Sequence, residues 1–370
     1  MFSKFDDFSQ NPVIKVFGIG GGGGNAINRM IENDVKGVEF VAINTDAQAL
    51  RHSKAFTRIQ IGKKLTRGLG AGAKPNVGRD SAIEDSDEIK AALEGTDMVF
   101  LTCGMGGGTG TGAIGVIAEI AKNMGVLTVA VVTKPFSFEG PRRMADAIAG
   151  LELLKPHVDS LVVIPNEKLR TLASNDMPLL EAFRESDNVL RRGVQGLAEI
   201  INVYGLINVD FADVKTVFQN KGSSLMGIGA ASGEHRAIRA AREAMKSRLL
   251  EISIDGATDA IVILSADVSL TIFEAESALA EIRNATEHDL NIIWGTTINH
   301  DLEEEFVCTI IATGYELKAK ENDMEELAAN LYRYQEETTP IYDHKVKQAY
   351  SPNEEKPKNN SLPEWLRKKK

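Results

Sequence analysis

Two glycine-rich stretches constrain this chain more than any other feature: GIGGGGGNA at residues 18–26 and GMGGGTGTGA at residues 104–113. Each follows a run rich in β-branched and aromatic residues, VIKVF in one case and DMVFLTC in the other, and each opens into an amphipathic stretch. Linkers are not flanked by strand and helix patterns in this way. Glycines between a strand and a helix leave bare backbone N–H groups at the helix N-terminus, and that is an anion site. Two such loops on one edge of a sheet can hold a longer polyphosphate than one loop can, with Thr109 and Thr111 adding hydroxyls. Taken alone, the first cluster reads as G-x-G-x-x-G (Gly18, Gly20, Gly23) with Asp46 as a ribose ligand about 20 residues further on, the pattern of a dinucleotide oxidoreductase. The second cluster has no use in that reading. Neither loop holds a lysine and G-x-x-x-x-G-K-S/T is absent, so the chain is not an ordinary P-loop NTPase.

Length and composition exclude several classes. A chain of 370 residues favours two domains, each able to bury its own core. A formal net charge of −10 argues against a nucleic-acid binder held by phosphate neutralisation. Cys103 and Cys308 lie far apart in apolar runs and read as buried thiols in a reducing compartment. The six histidines are scattered without a second ligand at metal spacing, so no dedicated transition-metal site is expected. MFSKFDDFSQNP has no apolar signal core, and no later run reaches the ~18 apolar residues of a membrane span, so a cytoplasmic protein without direct membrane insertion is expected.

From Val13 to Pro165 short apolar runs (VIKVFGIG, VEFVAIN, DMVFLTC, VLTVAVV, SLVVIP) alternate with helical patterns, including helices from Asn25 and from Thr111. That alternation implies a parallel sheet covered on both faces, with the ligand beyond the carboxyl ends of the strands. Residues 178–203 read as one long helix, with Phe183, Leu190, Val194, Leu197 and Ile201 at three-, four- and seven-residue spacing. After it come a helix over 234–250, a strand at AIVILSA, a helix over 271–283, and strands at NIIWGTTI and EFVCTIIATGY, a second α+β domain. The expected organisation is a short N-terminus (1–12), a Rossmann-like nucleotide domain (13–177), a central helix (178–205), an α+β domain (206–316), a polar flexible linker (317–360) and a terminal peptide (361–370).

The chain resembles the FtsZ family, the bacterial cell-division GTPases homologous to tubulin. GGGTGTG (106–112) is the tubulin-type signature, and GIGGGGGNA, NTD (44–46), LTRGLGAGAKP (65–75), TKPFSFEG (133–140), RRGVQGLAEII (191–201) and NVDFADV (208–214) occur in the family's order and spacing. The resemblance implies a tubulin-like α/β fold, GTP/GDP and Mg2+ as cofactors, and GTP hydrolysis coupled to polymerisation. It assigns the phosphates to Gly21, Gly22, Gly23, Gly24 and Asn25 and to Gly108, Thr109 and Gly110, with the neighbouring Gly104, Gly106 and Gly107 of the GTP site shaping the turns. Asn44, Asp46, Ala71, Gly72, Ala73, Thr133 and Pro135 join the nucleotide site. Glu139 and Arg143 match the ribose-side contacts, although without the resemblance they read as a surface pair at i,i+4. In GAGAKP, Lys74 stands where the family usually has asparagine, and its role stays open between phosphate contact and solvent.

Phe183 and Asp187 lie one turn apart on the long helix. They set an aromatic plane beside a carboxylate that can accept the N1–H and N2–H of guanine together, while adenine offers an acceptor there. GTP over ATP is thus a physical expectation too, with Asn166 as a partner for base or sugar. Phe183 alone reads as core, part of the apolar stripe, and it is Asp187 interrupting that stripe that points to a pocket. Nothing in the glycine loops positions a water for attack on phosphorus. Asn208, Asp210 and Asp213 supply that group in the family by inserting into the site of the next subunit; in isolation the two aspartates read as a helix cap. Head-to-tail contacts that do not close propagate as filaments. SLPEWLR resembles the family's C-terminal peptide, so Leu362, Pro363, Glu364, Trp365, Leu366 and Arg367 are expected to bind a division partner, a membrane tether or a regulator. The division ring at mid-cell is the expected location. A tubulin-superfamily filament protein of cell shape or plasmid partition is the alternative, and PEWLR favours division.

Overall fold

Strand β1 (Ile14–Ile19) leads into helix α1 (Gly20–Glu32), followed by β2 (Glu39–Asn44), α2 (Ala47–His52), β3 (Thr57–Gln60) and the helices α3 (Lys63–Thr66), α4 (Pro75–Glu84) and α5 (Ser86–Leu93). Strand β4 (Met98–Gly104), α6 (Thr109–Asn123), β5 (Leu127–Lys134), α7 (Pro141–Leu154), β6 (Ser160–Pro165) and α8 (Asn166–Arg170) complete the first half. The computed structural model describes residues 11–170, 178–202, 207, 209–247, 254, 256–286 and 290–315. These six strands pair in the order β3-β2-β1-β4-β5-β6, all parallel. Parallel strands covered on both faces need no polar side, and β4 and β5 are accordingly almost wholly buried runs of Met, Val, Phe, Leu and Ala. The order reverses between β1 and β4, so the connections after these neighbouring strands leave to opposite sides and open a crevice at the carboxyl edge.

The long helix α9 (Leu179–Asn202) comes next, then α10 (Phe211–Phe218), β7 (Gly222–Ser232), α11 (Arg236–Met245), β8 (Asp259–Ala266), α12 (Ile272–Asn284), β9 (Asn291–Ile298) and β10 (Glu305–Thr313). Strand β7 pairs parallel with the start of β6 and antiparallel with β10, so one ten-stranded sheet runs through both halves. Helix α9 buries Leu190, Val194 and Leu197 against that sheet, as its spacing predicts. Its far end is fixed where Asn202 Nδ2 donates to the carbonyl of Gly37 at 2.6 Å and of Pro12 at 3.3 Å, both ahead of the strands β2 and β1. The helix therefore crosses from the carboxyl edge to the amino edge, and 24 residues at 1.5 Å each span about 36 Å. Both thiols are free and buried, and burial pushes Cys308 up to about 12. Among the described residues no helix is long and apolar enough to cross a membrane.

Several elements differ from the expectations. Helix α1 starts at Gly20 rather than Asn25, so the first glycine cluster is helical. Poly-glycine is a poor helix former, and tertiary contact overrides it: a methyl at Gly23 would lie 2.3 Å from the Thr102 carbonyl oxygen, so the helix backbone rests directly on β4. Helix α6 likewise starts at Thr109 rather than Thr111. Helix α11 ends at Met245 rather than 250, where the Lys246 and Ser247 amides close the last turn. Residues 1–10 and 317–370, including the expected linker and terminal peptide, lie outside the described residues.

The contact of α4 with α6 fixes the second glycine loop and is testable. A Cβ on Gly112 would lie 1.9 Å from the Pro75 carbonyl oxygen and 2.6 Å from the Arg79 nitrogen. Glycine to alanine inside a free helix stabilises by up to ~1 kcal/mol. Here Gly112→Ala is expected to destabilise by about 1–3 kcal/mol through overpacking, read by urea denaturation. A stabilised variant would show that the two helices are not held at this distance.

Candidate nucleotide site

The N-termini of α1 and α6 lie side by side because β1 and β4 are neighbours. Gly20 turns the chain with φ +71°, and a methyl there would lie 2.8 Å from the Gly110 nitrogen. Neither helix has a side-chain cap or an acidic residue in its first turn, so the orphan N–H groups are unpaired by the usual devices. Helix α2 shows the contrast, since Asp46 Oδ1 accepts from the amides of Gln48 and Ala49 at 2.8 and 3.2 Å. The glycines fall into two sets. Gly18, Gly20, Gly22, Gly23, Gly108 and Gly110 have backbone or packed side chains where a Cβ would go, whereas Gly21, Gly24 and Gly107 face open space. The open set is where a ligand can meet the backbone.

Three further loops close around these termini. Ala71, Gly72 and Ala73 pack over α6, since a methyl on Gly108 would lie 2.8 Å from the Ala71 Cβ and 3.2 Å from the Ala73 nitrogen. Lys74 is exposed at the N-cap of α4, with Pro75 in the first turn. Asn44 Oδ1 accepts from the Asp46 amide at 3.1 Å, so both residues shape the turn after β2. The threonine hydroxyls expected as ligand donors are engaged within the protein. Thr109 Oγ1 and Thr45 Oγ1 share a hydrogen bond of 2.7 Å, and Thr111 Oγ1 accepts from the Gly106 amide at 2.8 Å. Thr45, missed in the sequence, thereby ties the β2 turn to the second glycine loop.

Beyond the glycines the crevice deepens into a cavity of about 200 Å³. Gly22, Asn25, Gly104, Thr133, Pro135, Glu139, Arg143, Asn166, Phe183 and Asp187 line it, residues drawn from six separate segments of the sequence. Met105, Ser186 and Leu190 join them without having been anticipated. Glu139 is fixed twice, by the Phe136 amide on Oε1 at 2.8 Å and by Arg143 Nη1 on Oε2 at 3.1 Å. Asn166 is buried and its Oδ1 accepts from Ser186 Oγ at 2.7 Å. Phe183 is part-exposed at the mouth, edge-on to Phe136 with ring centroids 5.4 Å apart. Asp187 accepts from Arg29 Nε at 3.0 Å.

The aspartates of NVDFADV lie elsewhere. Asp210 is the N-cap of α10 but makes no side-chain cap bond, and Asp213 in the first turn is exposed. Neither lines the cavities around the glycine loops. They follow the amino-edge end of α9, where the Val209 amide donates to the Ile200 carbonyl at 3.3 Å, and the 13 residues of helix from Asp187 to Ile200 span about 20 Å. Asn208 lies outside the described residues.

Residues 13–174 match the Tubulin/FtsZ family GTPase domain, and residues 222–316 match the FtsZ family C-terminal domain. The solved structure of an empty FtsZ dimer from M. jannaschii is 49% identical, with a TM-score of 0.80 over 83% of this chain and 89% of that one. GDP-bound monomeric CetZ1 from Haloferax volcanii shares the fold at 21% identity, with a TM-score of 0.73 over 86% of this chain and 99% of that one. Fold, glycine loops and matched domains define a GTPase of the tubulin class, which binds guanine nucleotide and hydrolyses GTP. Within that class the chain belongs to the FtsZ family of cell-division filament proteins.

The open glycines carry a divided prediction. Gly24 faces open space, so Gly24→Ala is expected to raise the stability of the nucleotide-free protein by up to ~1 kcal/mol through helix propensity. The same methyl would project into the space where phosphates are expected to meet α1, and GTP affinity is expected to fall at least about tenfold, ~1.4 kcal/mol, in a direct binding titration. Unchanged affinity would move the phosphates away from α1.

Proposed function

We propose that this protein assembles head to tail into filaments of the division ring, and that each GTP is hydrolysed only when the next subunit delivers Asp210 and Asp213. The observation that supports this most is the separation of the two halves of the chemistry. The uncapped helix termini and base cavity lie at the carboxyl edge, while the aspartates lie past the far end of α9. A single chain cannot bring them together, and a translated copy stacked on the first can. Such a contact is heterologous and propagates as a filament.

In the site, the α1 and α6 amides hold the phosphates, and residues 71–73 border the terminal one. Glu139 and Arg143 contact the ribose, Phe183 covers the base, and Asp187 accepts its N1–H and N2–H. Among the described residues no group of three His, Cys, Asp or Glu side chains could hold a metal. Mg2+ would be held largely through the phosphate oxygens of the bound nucleotide and would neutralise phosphate charge there. Asn208, Asp210 and Asp213 of the neighbour orient the attacking water. GTP thus stabilises the interface that buries it, and loss of the γ-phosphate releases it. The protein acts in the cytoplasm at mid-cell, where Leu362, Pro363, Glu364, Trp365, Leu366 and Arg367 engage a membrane tether or regulator.

Mixing tests the shared site. Asp213→Ala keeps an intact cleft, and Asp187→Ala keeps intact aspartates. Each alone is expected to hydrolyse GTP at least about a hundredfold more slowly than wild type, ~2.7 kcal/mol. An equimolar mixture is expected to recover a sizeable fraction of the wild-type rate, above a threshold concentration at which polymers sediment. A mixture no faster than the sum of its parts, or a wild-type rate per subunit independent of concentration, would place the catalytic groups within one chain.

A further inference from the structure

Asp187 stands in the wall between two cavities. One is the base cavity of about 200 Å³; the other is an outer recess of about 280 Å³ lined by Asn28, Arg29, Glu32, Leu180 and Arg184. Arg29 lines the recess and not the base cavity, and it reaches Asp187 from behind, Nε to Oδ2 at 3.0 Å, across 158 residues of sequence. Asn25, one helical turn before Arg29 on α1, lines both spaces. The side chains of Arg29 and Asp187 are 27% and 17% exposed, so water competes weakly for this contact. We infer that Arg29 is a positioning residue for guanine recognition, holding the Asp187 carboxylate so that its remaining acceptor directions face the base. This rests on the reading of Asp187 as the base acceptor.

A carboxylate offers about four lone-pair directions, and Arg29 takes one on the outer side. The rest can accept N1–H and N2–H only while the group is ionised, because a protonated carboxyl sets its own O–H against guanine donors. Burial raises the Asp187 carboxyl above its ordinary value, and the Arg29 guanidinium opposes that rise. The neighbouring charged groups are Glu32 on α1 and Arg184 on α9 in the recess and, across the base cavity, Glu139 and Arg143, which pair with each other at 3.1 Å. Glu32 is committed to Lys54 at 2.8 Å, which holds it below the usual carboxylate range. The sign follows. Affinity for guanine is full at high pH and is lost as pH falls through the Asp187 midpoint, about tenfold per pH unit for one linked proton. Removing Arg29 leaves the burial and deletes its opposition, so the midpoint moves up.

The test is displacement of a fluorescent GTP analogue from the full chain by GTP, and by inosine triphosphate, which lacks the 2-amino group, from about pH 5 to about pH 8, where the purine N1–H is intact and a raised carboxyl can titrate. Arg29→Met is expected to lose about tenfold or more in GTP affinity, to lower the GTP-to-inosine ratio, and to move the pH at which affinity falls above that of the wild type. Arg29→Lys is expected to restore the pH midpoint. Arg29→Gln, uncharged with a donor, is read in the same way if the methionine variant does not fold. A wild-type ratio and pH profile in the uncharged variant would overturn the inference, as would an equal, pH-independent loss for both nucleotides, the mark of a merely structural residue. Asp187→Asn separates the two levels. If it keeps the wild-type ratio, the base-acceptor reading fails; if it loses the ratio while the uncharged Arg29 variant keeps it, only the role of Arg29 fails.

Discussion

At Gly20 and Gly110 two backbones approach so closely that one added methyl would lie 2.8 Å from a peptide nitrogen, and the whole carboxyl edge depends on that approach. It brings two helix N-termini together above neighbouring strands, so their partial positive charges act on one volume instead of two. The reversal of strand order between β1 and β4 makes this adjacency possible, and glycine makes it close. Gly78 and Gly112 extend the same principle outward by letting α4 lie against α6, which carries residues 71–73 to the rim. A glycine cluster of this kind is therefore mostly a packing device. Only its open positions are a binding surface.

Helix α9 gives the site its second constraint. It carries Phe183 and Asp187 at one end, buries Leu190, Val194 and Leu197 along the sheet, and is anchored through Asn202 at the other. A packed helix moves as a rod. A displacement at the base cavity is accordingly felt at the amino edge, where α10 begins, and the strands beyond β7 share the same sheet. The Arg29 contact couples α1 to this rod through a part-buried charge pair. The glycine loops and the cavity beyond them are thus linked by a direct contact between α1 and α9.

Much of this was legible in the sequence, and what was not has physical causes. Apolar runs such as VLTVAVV announce strands because a sheet covered on both faces needs them. The spacing of Leu190, Val194 and Leu197 announces α9. The residues GSSLMGIGAAS of β7 escaped because small residues have weak strand preference, and here they make room for α11: a methyl on Gly229 would lie 2.1 Å from the Ala240 carbonyl oxygen. The joining of both halves into one sheet was hidden with it. The helical state of Gly20–Gly24 runs against propensity and follows only from contact with β4. Candidate residues of the crevice were readable through family motifs, whereas the Arg29–Asp187 and Thr45–Thr109 contacts join distant segments and leave no local signal.

The placement of crevice and aspartates at opposite ends of α9 also has an arithmetical consequence. A stack of n subunits built through these faces contains n crevices but only n − 1 that are covered by a neighbour's carboxylates. One terminus always presents a bare crevice, open to exchange with solvent, and the other presents aspartates with no nucleotide beneath them. If hydrolysis needs those carboxylates, as proposed, turnover divided by subunits approaches its ceiling as (n − 1)/n. Catalysis is then a ruler of mean length, and the two termini are chemically different objects.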